Sequence, residues 1–342
     1  MSNRQRLPVL DVLRGGASFA VCWFHLTNGH VGFLPPGILK ASGAYGWLGV
    51  EVFFVISGFV IPFALQRSDY QLADCGIFVF KRIARLDPPY FTTIALIIIL
   101  QYASSKAPGF EGEPFTYSIL GTILHVGYLN AFFGFPWLNP VFWTLALEFQ
   151  YYLLMAFIFP FIANRASIIR WCTMLALGIL ALVVPAERFV FHWLPLFLLG
   201  ITTFQLKSGI IAQKGYLLLI VLVSCWAWLC YGLIITLVGV TTAFIIAFAR
   251  VSHTGPLTFL GMISYSLYLL HVPIGGRVVN LSTRFVAGLP GRLVVVFVAA
   301  AVTVLAAWAL YAFVERPAQR WSAAIGYPKR QVAPSGFAPR AG

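Results

Sequence analysis

Ten stretches of this chain are apolar enough, and close enough to 20 residues in length, to cross a lipid bilayer. They lie near 8–28, 46–65, 87–102, 142–163, 168–185, 189–206, 215–232, 233–249, 257–274 and 292–314. The hydrocarbon core gives backbone N–H and C=O groups no water to bond, so runs of this kind are confined to helices that satisfy their own backbone. No soluble domain is inserted between them and no fixed-period repeat is visible. The pattern predicts an all-α, polytopic transmembrane helix bundle.

Composition excludes the main alternatives. With 60% hydrophobic and 10% charged residues, the chain departs from the balance of a water-soluble globular domain, and its 16% aromatic content suits lipid-facing surfaces and interfacial belts. The net charge of +13 comes from 23 Lys and Arg scattered through short connections, which fits a positive-inside bias and gives no nucleic-acid patch. Cys22, Cys172, Cys225 and Cys230 lie in apolar runs and Cys75 in a basic loop, so neither a disulfide framework nor a metal site is expected. Arg4 and Arg6 precede a run that resembles a signal sequence but carries Arg14 and His25 and lacks a convincing cleavage site; it reads as a retained first helix.

The stretch 115–138, "FTYSILGTILHVGYLNAFFGFPWL", is apolar but broken by Gly121, Gly127, Gly134 and Pro136. If it dips in and returns, the basic clusters at Arg67, Lys81, Arg82, Arg85, Arg165, Arg170, Lys207 and Lys214 fall on one side with both chain ends. The expectation is therefore about ten crossings plus one dipping segment, in the inner (plasma) membrane, with both termini cytoplasmic. Residues 1–317 would form the membrane domain and 318–342 a short, basic, disordered cytoplasmic tail. Arg277, Arg284 and Arg292 then fall in an outer loop, against the bias, and meeting an anionic partner is the one account the sequence offers for them.

Several polar residues interrupt the apolar runs. In "LDVLRGGASFAVCWFHL", Arg14 and His25 are eleven positions apart, a rotation of roughly 1,100° that returns within about 20° to the same helix face, about 16 Å further along the axis. Asp11, three residues before Arg14, is placed to pair with it. A structural ion pair would account for Arg14 and Asp11, and an interhelical hydrogen bond for His25. A polar stripe of three residues exceeds what packing alone needs. Glu148 is the one acidic residue in the run 142–163 and is expected at the depth of His25, where a carboxylate could orient and charge the imidazole. Ser264, Tyr268 and His271 share a face by spacing, and His125 either faces an outer cavity or sits at the interface. In "FKRIARLDPPY", Lys81, Arg82 and Arg85 could set topology or grip phosphate. Gly49, Ser57 and Gly58 permit close helix approach, and Glu51 reads as interfacial. There is no GxSxG elbow, HExxH, Walker loop or CxxC pair, so the usual signs of hydrolase, zinc and ATPase chemistry are missing.

These segments, together with "GVEVFFVISGF", "FWTLALEFQYYLL", "SYSLYLLH" and "FVERP", resemble in order the integral-membrane acyltransferase-3 family, which includes surface-polysaccharide and lipopolysaccharide O-acetyltransferases. The resemblance spans roughly 7–317. It implies transfer of an acetyl (acyl) group from cytoplasmic acyl-CoA, usually acetyl-CoA, to a hydroxyl of a carbohydrate or glycolipid at or beyond the outer face. His25 corresponds to the family's essential histidine, Arg14 to its partner in the first helix, Arg82 and Arg85 to the donor-side arginine pair, and Glu148 to the functional glutamate. Lys81 and Asp87 depart from the usual residues. The resulting expectation has Arg14, Arg82, Arg85 and Lys81 holding the CoA pyrophosphate. His25, oriented by Glu148, acts as base or acyl relay, and Asp11, Ser57, Ser264, Tyr268 and His271 line the substrate path. The expected partners are acyl-CoA, the glycan acceptor and membrane lipids, with no metal and no nucleic acid. A transporter or flippase using the same polar stripe is the alternative.

Overall fold

The first apolar run becomes α1 (Pro8–Asn28), opened by a proline whose missing N–H costs nothing at a helix start. The computed structural model describes residues 7–30, 32–106, 116–251 and 255–328, and every regular element among them is helical. After α1 come a short α2 (Ile38–Gly43), α3 (Gly49–Arg67), the long α4 (Cys75–Ser105) and a six-residue α5 (Ile119–Leu124). Then follow α6 (Phe142–Ile162), α7 (Ser167–Val183), α8 (Leu194–Lys207), α9 (Gln213–Tyr231) and α10 (Leu233–Phe248). α11 (Gly255–Met262) and α12 (Ser264–Leu270) lead through a π-helical turn, His271–Gly276, into α13 (Arg277–Ser282). α14 (Leu289–Leu310), a second π turn at Tyr311–Glu315 and α15 (Arg316–Ala324) complete the described chain.

By length and composition, six helical stretches among the described residues can cross a membrane: Pro8–Asn28, Ile38–Arg67, Leu72–Ser105, Phe142–Ile162, Gln213–Tyr231 and Leu289–Ala324. The pair α11 and α12–α13, bent by 65°, makes a seventh if it is one span. The expected ten is reached only if the shorter apolar helices α7, α8 and α10 also cross, so the count of crossings stands at six or seven by this measure. α8 shows why length and burial part company: every residue from Leu194 to Gln205 is buried, so it is wrapped by other helices rather than by lipid. Among its described residues, 116–138, the stretch 115–138 holds as helix only α5 and a 3-10 turn at His125–Gly127, too short to span.

Glycines set the helix spacing. A Cβ on Gly200 of α8 would sit 2.1 Å from Val55 O, and one on Gly58 of α3 would sit 2.2 Å from Phe197 O, so α3 and α8 touch backbone to backbone. Gly15 and Gly261 do the same for α1 and α11 at Leu257 O and Asp11 O, and Gly49 brings α3 against Ala17. Outward stripes such as Leu175, Ile179 and Leu182 on α7, and Val298, Val302 and Leu305 on α14, recur at helical spacing with large exposure, as a lipid-facing surface requires.

The C-terminal end differs from expectation. The boundary at 317 falls inside α15, which packs on the start of α4: Ser322 Oγ donates to Lys81 O (2.7 Å), and Trp321 meets the Phe80 ring edge to face. Residues 318–324 are thus helical rather than a disordered tail, while Lys329, Arg330 and Arg340 lie outside the described residues, as do Arg4 and Arg6. All five cysteines are free thiols.

Candidate active site

Glu148 stands on the second turn of α6, and Ser57 Oγ of α3 donates to its Oε1 at 3.3 Å. The Tyr152 hydroxyl, one turn on, donates to the same oxygen. The Arg82 guanidinium of α4 is laid over the rings of Phe78 (5.1 Å) and Tyr152 (5.3 Å), an arrangement that suits a weakly hydrated planar cation. Arg14 completes the group. Glu148 attracts both Arg14 and Arg82, and Arg85 is close enough to both to repel them, so the three arginines form one cationic cluster. Glu315 adds a second: its Oε2 accepts from Ser266 N (3.2 Å) and Oγ (2.5 Å), its Oε1 from Gln319 Nε2 (2.9 Å), and its charge reaches Arg14 and Arg85. Arg14 Nε is buried without a hydrogen-bond partner. A cavity of about 60 Å³ bordered by Arg14, Ser57, Glu148, Ser264, Tyr265 and Tyr268 opens among these groups. Such a site can receive an anion and a polar carbonyl.

His25 lies near the other end of α1 and lines a much larger hollow of about 730 Å³. Its walls come from α1 (His25) and the turn that follows it (His30), α4 (Gln101), the stretch after α5 (Asn139) and α13 (Arg277, Asn280). The volume is in the range of sites that hold small ligands. Asn139 Nδ2 donates to Leu269 O (3.0 Å), which ties that stretch to α12.

Between the two hollows stand Tyr268 and His271, and no residue lines both. The Tyr268 hydroxyl is paired with Thr144 Oγ1 at 2.7 Å, its ring is 5.5 Å from that of His271, and His271 is 4.9 Å from His25. His271 is 0% exposed; its Nδ1 faces Leu267 O at 3.3 Å and its Nε2 has no partner.

Several sequence expectations are corrected by this geometry. Glu148 is bonded to Ser57 and Tyr152, not to His25, whose ring neighbour is His271. Arg14 and His25 share a helix but open into separate hollows. Asp11 occupies the first turn of α1, where free N–H groups favour a carboxylate, and lines neither of these two hollows; Arg14 is attracted by Glu148 and Glu315. Ser264 and Tyr268 line the inner cavity, but His271 on the same face is sealed behind His25. Lys81 donates to Ser322 O (2.8 Å) and to Ile325 O, so its ammonium closes the end of α15 rather than facing the arginines. His125 holds its own segment, with Nδ1 on Gly121 O (2.7 Å) and Nε2 accepting from Leu138 N (3.2 Å). Asp87 accepts from Tyr128 (2.9 Å), anchoring that segment to α4. Glu51 is 3% exposed with Oε2 unpartnered, a buried carboxylate on the first turn of α3.

Sequence spacing does not single out Glu315, Tyr152 or Asn139 as site residues. The "FVERP" stretch carries Glu315 in plain view, but nothing in its spacing points to Ser266, 49 residues away. Among the described residues no group of three or more His, Cys, Asp or Glu is placed to hold a metal ion.

Comparison with known proteins gives a consistent result. O-acetyltransferase OatA of Staphylococcus aureus is 27% identical over 374 aligned positions, covering 94% of this chain and 58% of that protein. Peptidoglycan O-acetyltransferase OatA of Listeria monocytogenes is 30% identical over 170 positions, covering 47% of this chain and 25% of that protein. A putative acetyltransferase, ORF330, of Acidianus two-tailed virus is 31% identical over 153 positions, covering 44% of this chain and 40% of its own length. The chain therefore spans little more than half the length of the S. aureus relative. No solved structure matches it. The profile of the acyltransferase-3 family, described as an acyltransferase domain, matches residues 7–312, and the chain belongs to that family.

Proposed function

We propose that this protein is a multi-pass membrane O-acetyltransferase that takes an acetyl group from acetyl-CoA and esterifies a hydroxyl of a carbohydrate or glycolipid acceptor. The reading rests above all on one observation: His25 opens into a hollow of about 730 Å³ while Arg14, lower on the same helix, belongs to a cluster with Arg82 and Arg85 in which Glu148 attracts Arg14 and Arg82. Family membership and the O-acetyltransferase relatives support the reaction class. The arginine end is the donor side, on the cytoplasmic face of the plasma membrane with both termini, and the large hollow faces outward.

Arg14, Arg82 and Arg85 hold the CoA pyrophosphate through charge-assisted hydrogen bonds. Glu148 attracts Arg14 and Arg82 against the repulsion of Arg85. Ser57, Ser264 and Tyr268 line the way for the pantetheine arm. His25 removes the proton of the acceptor hydroxyl; the oxygen forms its bond to the thioester carbonyl carbon, the C–S bond breaks, and the sulfur takes the proton from the imidazolium to leave as the free thiol. His271 sits behind His25 and holds it. The wall of Tyr268 and Thr144, closed by one hydroxyl pair, is where the thioester passes to reach His25.

Membrane vesicles from cells expressing the chain, given acetyl-CoA labelled in the acetyl group, test this. The label is expected in the glycan fraction as an alkali-labile ester, and His25→Ala should lower it by about 10²-fold or more with normal membrane insertion. Undiminished ester formation in that variant refutes the assignment of His25; label that never becomes ester-bound refutes the reaction.

A further inference from the structure

The hollow around His25 carries a charge pattern of its own. Its described lining residues include Arg277, Arg284, His25 and His30, with amides from Gln101, Asn139 and Asn280, and no aspartate or glutamate. Arg277 donates one N–H to Pro273 O (2.9 Å), a bond that fixes the guanidinium at the start of α13. A guanidinium has five donors, and the rest of this one have no hydrogen-bond partner among the described residues. His30 Nδ1 is buried and likewise unpartnered. Arg292 lies outside the hollow, where it donates to Phe33 O (2.9 Å) and sits over the Phe33 ring. Two of the three arginines that run against the positive-inside bias thus converge on one cavity, together with neutral amides suited to hydroxyl groups.

We propose that this hollow is the acceptor site and that it selects an anionic glycan, a sugar that bears a carboxylate or phosphate close to the hydroxyl esterified at His25. The inference rests on the acetyltransferase reading and adds the class of acceptor to it. Amide and imidazole groups take the sugar hydroxyls, and the Arg277 fork takes the oxyanion, bidentate geometry being what a guanidinium offers and a neutral sugar cannot use. Arg284 adds positive field at the same wall. Neutral acceptors leave the cationic wall without a counter-charge.

The test uses the full chain, purified in detergent and fluorescently labelled, on an array of immobilised oligosaccharides that are matched in backbone and differ as neutral, carboxylated and phosphorylated forms. Acidic members are expected to be retained over neutral ones by about tenfold or more, with retention falling as salt rises. Arg277→Gln should abolish that preference. Asn280→Asp, at an exposed lining position that tolerates change, should reduce it by adding a like charge without touching Arg277. Preference for the carboxylated or the phosphorylated series identifies which oxyanion is read. Equal retention of neutral and acidic glycans, a preference that survives both substitutions, or retention of none overturns the inference. Labelled CoA binding by equilibrium dialysis on the same preparations reads the donor side separately: intact CoA binding with no acidic preference removes only this inference, and loss of CoA binding by the unmodified chain removes the acetyltransferase reading itself.

Discussion

The rings of His25 and His271 lie 4.9 Å apart, centroid to centroid, with their planes inclined at 51°. His271 directs Nδ1 to the Leu267 carbonyl, so Nε2 carries the lone pair, and that atom is buried without a partner. A buried acceptor whose ring touches an imidazole that must gain and lose a proton can receive that imidazole's N–H on a small turn of either ring, and so select its tautomer. The π turn that follows, containing Pro273 and packed so closely that a Cβ on Gly275 would meet Thr303 Oγ1 at 2.6 Å, fixes the distance. His271→Leu, which keeps the bulk and removes the acceptor, should lower kcat by about 10²-fold while the KM for acetyl-CoA stays within about twofold. His271→Gln, which restores an acceptor oxygen near the Nε2 position, should recover a large part of the loss. Equal activity in all three chains would leave His271 a packing residue.

On the donor side, the arginines differ in how they are held. Arg82 rests on two aromatic rings, so Arg82→Lys preserves charge yet loses both the stacking and the planar fork. Arg85 has no such support. Arg85→Gln should raise the KM for acetyl-CoA about tenfold with kcat largely kept, the signature of lost uniform binding, and Arg82→Lys should raise it several-fold. Initial rates against acetyl-CoA concentration at fixed acceptor read both. Unchanged KM in the two variants would place the CoA phosphates elsewhere.

Helix spacing gives a stability prediction. Gly200→Ala drives a methyl to 2.1 Å from Val55 O, a backbone atom that cannot yield alone, and should cost about 2 kcal/mol as α3 and α8 are forced apart. Gly178→Ala on α7 meets nothing within 4 Å and should be neutral or slightly stabilising. The two variants, heated and then separated by fluorescence-detected gel filtration, should rank in that order around the unmodified chain. A Gly200→Ala protein as heat-resistant as the original contradicts the contact.

What could be read from sequence followed from local periodicity. The eleven-residue spacing of Arg14 and His25, the small residues of α3 and the apolar runs all encode a property of a single helix, and each reappears as a feature of that helix. What could not be read depends on which helix faces which. Depth along the helices pairs Glu148 with His25, but Ser57 and Tyr152 claim it, the first because α3 and α6 pack together. Glu315 waits on Ser266, and the wall between the hollows on a Tyr268–Thr144 pair whose members are 124 residues apart. Short helices misled in another way. α8 has the composition of a span, yet it is buried from Leu194 to Gln205, and apolar content by itself does not separate lipid from neighbouring helices as the solvent.

Lys81 separates the two accounts of the basic stretch on α4. Spacing groups it with Arg82 and Arg85, whereas its ammonium donates to the carbonyls of Ser322 and Ile325 and lies 5.4 Å from the Tyr327 ring centre. A lysine at the end of a helix satisfies carbonyls that have no partner within it and meets the negative end of the helix dipole. Lys81→Met should therefore leave the KM for acetyl-CoA within about twofold, in contrast to Arg85→Gln, while loosening α15 from α4 by about 1 kcal/mol. Limited trypsin digestion reads that loosening through faster cleavage after Arg320, which the docked helix protects. A KM that rises as far as in Arg85→Gln, with no change in cleavage, would return Lys81 to the donor site.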